Sequence, residues 1–321
     1  MSFLPTEVFP VIVPTRSSLK SFNFYIVKNE DGLSLIDAGV NTTKCWEFFN
    51  QALEDHGFTL DDFDQIILTH NHEDHVGLVD RIVAQHDIPV YVPERSIHRL
   101  KRDRSFFQMR IEFFAELYKE MGCGEAGERQ VEKLKEAVQY HEEKKLHAEL
   151  TAIGPDTFST LTPVETPGHS PDHMIFHSSS EKMIFGGDLL LKHISSNALV
   201  EPDRKGNRIR TVLEHERSLE RCAALDADVV YAGHGELIRD HRELIEKRLH
   251  GIQRKANRIL KQIQSGIHTA SELAQTMYQD KYEIQFSLVM SEIIGHLDYL
   301  EAHGKVEKEK RDGVCYYSSI N

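Results

Sequence analysis

The segment from Thr69 to His75 reads Thr-His-Asn-His-Glu-Asp-His and concentrates side chains that bind metal ions. His70, His72, Asp74 and His75 lie within six residues, directly after an apolar run. Four ligands in so short a segment cannot all serve one ion, but a strand that turns sharply into a helix at this point would divide them between two adjacent ions. Imidazole and carboxylate suit zinc, or less often manganese or iron, and the absence of cysteine argues against a structural zinc site. The segment therefore predicts an enzyme with a metal centre.

Three further metal-binding side chains follow predicted strands elsewhere in the chain. They are His169 after a strand at about 158–166, Asp188 after a strand at 182–186, and His234 after a strand at 226–231. Each is flanked by glycine, which permits a tight turn and a close approach of the backbone. These three loops are therefore candidates to complete the centre.

The elements that must position these loops alternate between strand and helix, which is typical of an α/β fold. Before the insertion described next, the pattern predicts strands at 8–14, 22–27, 33–36, 65–70 and 88–92, a helix at 43–56 and another from about Asp74. A further strand is predicted at 173–177. We expect residues 1–247 to form this α/β domain.

Residues 94–150 interrupt the alternation with aromatic residues at helical spacing. The apolar positions of the first predicted helix are Phe106, Phe107, Ile111, Phe113, Phe114, Leu117, Tyr118 and Met121. One interpretation is a pair of helices packed on the core. The other is that the same pair also roofs the metal cleft and supplies an apolar wall for the substrate.

Residues 248–321 have a different character, with ten Lys or Arg against nine Asp or Glu. The pattern predicts a short helix near 240–250, a basic amphipathic helix at 252–264, a helix that opens at Thr269, a helix at 283–302 and a β-hairpin. The last three of these helices and the hairpin lie within residues 248–321 and resemble a small winged-helix domain.

Composition limits the function classes. The 321 residues carry a net charge of −13, which argues against a general nucleic-acid binder. No apolar run is long enough to span a membrane, and residues 1–7 lack the basic start of a secretory signal. The four cysteines form no Cys-x-x-Cys pair, so we expect reduced thiols in a cytoplasmic protein that makes no membrane contact.

The full set of candidate ligands is similar to that of the metallo-β-lactamase superfamily, in its binuclear hydrolase branch. The motif His70-x-His72-x-Asp74-His75 is followed in the right order by His169, Asp188 and His234 over roughly residues 8–240. The resemblance implies an αββα sandwich, with two sheets face to face and the ligands on loops at one edge.

The resemblance also implies how the ligands are shared. His70, His72 and His169 would hold one divalent ion, zinc in the first place with manganese or iron as alternatives. Asp74, His75 and His234 would hold the second, and Asp188 would bridge the two. A hydroxide activated by both ions would attack an ester-like bond, with Asp74 orienting it. Relatives that reduce oxygen usually carry glutamate in place of His72, so hydrolysis is favoured.

Four other residues are predicted near the ligands. Asp37 ends a strand beside the cleft and is expected to hydrogen-bond to a ligand histidine. His173 is expected behind the ligands, and Lys192 and His193 are candidates to meet the substrate. Most of the other histidines, His98, His215, His241 and His296 among them, are expected to be solvated or to cap helices.

Two functions remain open at this point. The first is hydrolysis of a small ester, thioester or lactone. The alternative is a ribonuclease or phosphodiesterase acting on single-stranded RNA or a small phosphodiester, because lactamase-like endoribonucleases share the domain order. Against it, the predicted helix 283–302 has no Lys or Arg with which to read a groove. A small-molecule substrate is therefore favoured, and the C-terminal segment is expected to serve packing or homodimerisation.

Overall fold

The computed structural model describes residues 6–320. The strands are β1 (Glu7–Pro14), β2 (Ser21–Asn29), β3 (Gly32–Ile36), β4 (Gln65–Ile67), β5 (Val90–Val92), β6 (Leu150–Ala152), β7 (Thr162–Glu165), β8 (Met174–Ser178), β9 (Met183–Gly187), β10 (Val229–Ala232), β11 (Val306–Arg311) and β12 (Val314–Ser319). The helices are α1 (Thr43–His56), α2 (Glu73–Val76), α3 (Val79–Val83), α4 (Ile97–Leu100), α5 (Arg104–Glu120), α6 (Gly124–Gln139), α7 (His141–Lys144), α8 (Thr211–Ala223), α9 (His241–Gln264), α10 (Ala270–Tyr278), α11 (Asp280–Ile284) and α12 (Phe286–Ala302).

Two mixed sheets form the body of the protein. The first has the order β1-β2-β3-β4-β5-β6, antiparallel between β1, β2 and β3 and parallel from β3 to β6. The second has the order β10-β9-β8-β7, with only β9 and β10 parallel. Parallel strands place their carboxyl ends at one edge, which is where the predicted ligand loops leave the sheets.

Three hydrophobic clusters define four layers. Tyr25 and Ile67 of the first sheet share a buried cluster with Phe176 and Phe185 of the second, so the two sheets face each other. The outer face of the first sheet buries α1 and α3, and that of the second buries α8 and α9. This arrangement confirms the predicted αββα sandwich.

The insertion and the C-terminal helices share one hydrophobic cluster. Ile111, Phe114 and Tyr118 of α5 are buried with Ile293 and Leu297 of α12. The insertion therefore packs as a helix pair, as the first interpretation predicted, but largely against the C-terminal segment.

The sequence pattern was wrong in several details. Residues 241–264 form the single helix α9, because Gly251 is accommodated within it, where two helices were predicted. The predicted boundary at residue 247 falls inside this helix, and the division into two domains stays a prediction. The helix expected from Asp74 is divided into α2 and α3, and the short strand β6 and helix α8 were not predicted.

The division at Gly77 has a packing reason. The backbone N–H of Gly77 donates to the carbonyl oxygen of Gly39 at 2.8 Å, and a Cβ at Gly77 would lie 2.3 Å from the backbone nitrogen of Asn41. Only glycine allows this approach, which ties the helix that carries His75 to the end of β3.

The C-terminal segment has the predicted order of helices followed by a hairpin of β11 and β12. Its assignment as a winged helix stays a prediction. All four cysteines are buried free thiols. In residues 6–320 no helix has both the length and the hydropathy to cross a membrane, and the prediction about a secretory signal concerns a segment whose residues 1–5 lie outside the described part of the chain.

Candidate metal centre

The seven predicted ligands come together at the edge where the parallel strands end. His70 and His72 follow β4, and Asp74 and His75 lie in α2. The other three arrive on the loops that follow β7, β9 and β10. The ligand atoms fall into three groups, within each of which they lie within 4.8 Å of one another: His70 with His72 and His169, His70 with His75 and Asp188, and Asp74 with His75 and His234.

Asp188 lies between two clusters of histidine nitrogens. Its Oδ1 atom is 3.4 Å from Nε2 of His75 and 3.3 Å from Nε2 of His234. Its Oδ2 atom is 3.4 Å from Nε2 of His169. The geometry is therefore that of a carboxylate able to serve two ions, one oxygen to each.

The backbone must approach this carboxylate closely. A Cβ at Gly233 would lie 2.6 Å from both Oδ1 of Asp188 and Cε1 of His75. The glycine before His234 therefore has the close-approach role that the sequence pattern predicted.

Four of the histidines are oriented by hydrogen bonds through Nδ1. In His169 and His234 this nitrogen is 3.0 and 2.8 Å from the carbonyl oxygens of Asn197 and Ser21. A carbonyl oxygen only accepts, so Nδ1 carries the proton and Nε2 offers its lone pair to the centre. In His75 and His70 the same nitrogen contacts Asp37 and Thr69, at 2.7 and 3.0 Å.

His72 is turned the other way. Its Nδ1 atom faces the centre, 3.0 Å from Nε2 of His70 and 3.0 Å from Nε2 of His169. These three nitrogens converge on one point, which suits a single ion with three imidazole ligands.

The charges of the cluster depend on burial and on mutual contact. Burial by itself would raise the pKa of the Asp188 carboxyl, but His75 and His234 hold it well below its usual range. Burial by itself would lower the pKa of His75, but Asp188 and Asp37 raise it well above its usual value. Burial and the neighbouring imidazoles lower the pKa of His70 well below its usual value, and they lower that of His72 to about 4. The imidazoles of His70 and His72 and the carboxylate of Asp188 are therefore already in the form that binds metals, whereas His75 must release its proton when an ion binds.

The donor set fits a pair of divalent ions. Nε2 of His75, Nε2 of His234 and Oδ1 of Asp188 are buried and have no hydrogen-bond partner within residues 6–320. Buried polar atoms are normally satisfied, and these three point toward one another, so a cation between them would satisfy all three.

Asp37 lies directly behind the candidate ligands. One oxygen contacts Nδ1 of His75, and the other accepts from the backbone N–H of Thr69 at 2.8 Å. The hydroxyl of Thr69 also donates to Asp37, at 2.9 Å. One carboxylate thus orients both arms of the histidine-rich segment.

His173 is buried behind Asp188. Its Nε2 atom accepts from the backbone N–H of Asp188 at 3.0 Å, and Nδ1 contacts the hydroxyl of Thr166 at 2.8 Å. It therefore positions the loop that carries Asp188, and both of its ring nitrogens are engaged by protein groups.

Lys192 and His193 do not line the cavity beside the centre. Lys192 is ion-paired with Glu236 at 2.7 Å, and Nε2 of His193 lies 2.9 Å from the carbonyl oxygen of Ser18. The prediction that they meet the substrate has no support in these contacts.

Asp172 is a functional neighbour that sequence reasoning missed. It is buried and accepts from the backbone N–H of Asn71 at 2.9 Å and from the hydroxyl of Ser96 at 2.5 Å. It holds the loop between His70 and His72 from 101 residues away in the chain. The one sequence feature that pointed to Asp172 was its position three residues after the candidate ligand His169.

Several histidines that were expected to be solvated or to cap helices are buried. His98, His215, His241 and His296 each have less than a tenth of their surface exposed. Burial and the charges of Arg99 and Arg204 lower the pKa of His98 to about 4, so it is neutral near pH 7.

A cavity of about 270 Å³ adjoins the centre. His72 and His169 line it together with Phe107 of α5, so the insertion does form part of its wall. Phe107 lines this wall, whereas Phe113 and Tyr118 pack in the hydrophobic cluster shared with α12. Phe106 is buried against the ring of His98 and does not line the cavity.

Comparison with known proteins places this geometry in a family. A family model described as the Metallo-beta-lactamase superfamily matches residues 21–234. The chain is 31% identical over 317 residues to the probable metallo-hydrolase YqjP of Bacillus subtilis (strain 168), and the match covers 98% of each chain. It is 23% identical over 256 residues to the atrochrysone carboxyl ACP thioesterase of Aspergillus fumigatus, covering 78% of this chain and 62% of that relative. The metallo-beta-lactamase family protein TTHA1429 from Thermus thermophilus superposes with a TM-score of 0.78 and 25% identity, covering 98% of each chain.

Proposed function

The chain belongs to the metallo-beta-lactamase superfamily, and from that premise we propose that it hydrolyses a small ester, thioester or lactone with the help of two divalent ions. The observation that carries the proposal is Asp188, whose two oxygens face two separate groups of histidines. A site for one ion would not need a carboxylate in that position.

In this proposal His70, His72 and His169 hold one ion, and Asp74, His75 and His234 hold the other. Zinc is the first choice because imidazole and carboxylate ligands suit it, with manganese and iron as alternatives. When bound, such a pair supplies Lewis acidity toward an acyl oxygen and makes a water acidic enough to act near neutral pH.

The protein supplies orientation and charge around the ions. Asp74 is a quarter exposed, whereas His75 and His234 beside it are buried. It can therefore accept a hydrogen bond from a water that enters from the open side and orient that water toward the substrate. Asp37 and His173 hold the ligand loops, so the donors need little rearrangement when substrate binds.

A thioester is a supported substrate type, because relatives of this chain bear the name thioesterase. These relatives share only part of their length with it, so the likeness supports the bond type and no particular acyl group.

The ribonuclease alternative has less support. Twelve of the seventeen residues of α12 are buried, so this helix is not available to enter a groove. The hairpin cations Lys308, Lys310 and Arg311 are paired with Glu301, Glu120 and Glu309. A small-molecule substrate, the cytoplasmic location and a homodimer stay predictions.

A substrate panel on one preparation tests the proposal. It contains acyl thioesters, lactones, a phosphodiester and single-stranded RNA, with metal content measured by mass spectrometry. We expect close to two ions per chain and turnover of an ester-type substrate; one ion or none would refute the two-ion site. RNA turnover that is lost when Arg254, Arg258 and Lys261 are all changed to Gln would instead establish the alternative.

A further inference from the structure

The cavity beside the centre is cationic in an acidic protein. Its described lining includes four cationic side chains and only two carboxylates: Arg99, Arg102, Arg110 and Lys144 against Glu73 and Glu201. The whole chain has a net charge of −13. A positive cavity against such a background attracts anions to one place on the surface.

The two carboxylates in the lining differ in burial and in how closely they contact the neighbouring cations. Glu201 is buried and receives two hydrogen bonds from Arg110, at 2.8 and 2.5 Å, and one from Arg99 at 3.2 Å. Glu73 has a side chain that is 63% exposed, and it contacts Lys144 at 2.7 Å and Arg102 at 3.4 Å. An exposed pair of this kind contributes little free energy, so a ligand can replace Glu73 at low cost.

Arg102 is set in place before any ligand arrives. Its guanidinium carbon lies 5.2 Å from the ring centroid of Phe107, and its side chain is only 20% exposed. Its backbone has φ of 51°, a left-handed conformation that non-glycine residues seldom adopt and that often accompanies binding sites. Arg102 is thus positioned by packing against Phe107, while its contact with Glu73 is long.

Arg99 gives an independent indication. The residue is 8% exposed, and its Nε atom is buried without a hydrogen-bond partner in the described part of the chain. A buried guanidinium N–H normally has an acceptor, which a ligand in the cavity would provide.

We propose that this cavity binds a carboxylate of the substrate between Arg102 and Lys144, where it displaces Glu73. The proposal rests on the proposed function and narrows it to an acidic acyl ester or thioester. Glu73 lines the same cavity as the candidate ligands His72 and His169, so the acyl carbonyl of a bound substrate would share this cavity with the metal centre. Arg102 and Lys144 already contact the carboxylate of Glu73 in this structure, so a carboxylate is the group that we expect them to bind.

The cavity sets the size of the acyl part. A volume of about 270 Å³ corresponds to about nine waters at roughly 30 Å³ each, which is room for a short chain and a carboxylate. Its apolar wall would cover the methylene groups of that chain; it consists of Val76, Leu100, Phe107, Leu146 and Leu199.

Two isosteric thioesters test the specificity. The succinyl and butyryl thioesters of N-acetylcysteamine differ only in a terminal carboxylate against a methyl group, and they share a neutral leaving group. We expect the ratio of their kcat/KM values to favour succinyl by about 10- to 100-fold, the usual effect of charged hydrogen bonds. Arg102→Gln and Lys144→Gln should each reduce this ratio, and the double variant should bring it near 1. Arg129→Gln, which removes an exposed contact between α6 and Glu283, is the matched control and should keep the wild-type ratio.

A binding measurement separates this inference from the proposed function. Calorimetric titration of the metal-loaded protein with glutarate should show binding that is lost in the double variant, and glutaramide should not bind. Glutarate binding without turnover of any ester, thioester or lactone in the substrate panel would leave the anion site standing and refute the hydrolase proposal. Equal hydrolysis of both thioesters, or glutarate binding that persists in the double variant, would overturn the anion site.

Discussion

Asp188 and Glu201 are both buried carboxylates surrounded by nitrogen atoms. Asp188 belongs to the candidate metal centre, and Glu201 lines the cavity beside it. Glu201 is fully satisfied: two arginines donate three hydrogen bonds to it. Asp188 faces three imidazole nitrogens at 3.3–3.4 Å, and its Oδ1 atom has no partner within residues 6–320. Protein donors alone satisfy the carboxylate of Glu201, whereas a cation would satisfy the carboxylate of Asp188.

The difference shows how a structural ion pair can be told from a metal site. Arginine is always charged and donates to a carboxylate in a planar geometry, so Arg99 and Arg110 satisfy Glu201 without any ion. Histidine can present a lone pair when its other nitrogen is held by a carbonyl oxygen, as in His169 and His234. Three variants and two control variants should break or sharpen this contrast.

The largest effect is expected for Asp188→Ala. The substitution removes the one group that faces both sets of histidines, so hydrolysis of every substrate should fall below detection and metal content should fall below two ions per chain. Far-UV circular dichroism should be unchanged, since the side chain lies at the sheet edge and outside the hydrophobic clusters. Retained hydrolysis would refute the bridging role.

Glu201→Gln should act on stability instead. The change leaves Arg99 and Arg110 buried opposite a neutral amide, and breaking a buried ion pair costs about 3–5 kcal/mol in the free energy of unfolding. Urea denaturation measures it. Glu309→Gln removes an exposed contact with Arg311 and should leave the free energy of unfolding close to that of wild type. A Glu201→Gln variant as stable as wild type would show that the cluster contributes nothing net.

The stabilisation by Glu201 should also depend on pH. Burial opposes ionisation, but Arg110 and Arg99 lower its pKa from 4.5 to about 2. A depressed carboxyl pKa gives stability that is fully present above about pH 4.5 and is lost as the pH falls toward 2. The stability difference between wild type and Glu201→Gln should therefore shrink in that interval, and a difference independent of pH would contradict the ion-pair interpretation.

A smaller effect is expected for Asp37→Asn. Asparagine also tolerates the left-handed backbone at this position, where φ is 58°, so the fold should be kept. The loss of charge behind His75 should lower metal affinity or activity by about 10- to 100-fold, as measured by competition with a chelator. Asp31→Asn is the control, because Asp31 makes a similar set of hydrogen bonds to Ser159 and Thr160 away from the centre. Equal effects of the two changes on metal affinity and activity would refute the role of Asp37 in orienting the metal ligands.

Much of the centre could be predicted from the sequence because its information is local. The spacing of His70, His72, Asp74 and His75 after a strand, and the glycines beside the other three ligands, depend on turn geometry over a few residues. The alternation of strands and helices could be predicted in the same way, because it follows from the spacing of apolar and polar residues over short segments. That order predicted only an α/β fold, and the αββα layers were implied by the resemblance of the ligand motif to the metallo-β-lactamase superfamily.

Only the tertiary structure decided which distant residues complete the site. Asp172 meets Asn71 across 101 residues, and Glu201 meets Arg99 across 102, through contacts that depend on how loops from both sheets close over one edge. The insertion packs on α12 and brings Arg102 and Phe107 to the centre, although its apolar stripe alone did not show which face would be buried. The sequence by itself determined the chemistry of the ligands, since residue type and short spacing suffice for that. The fold determined the charge and shape of the cavity beside them, because these arise from side chains that are neighbours only in space.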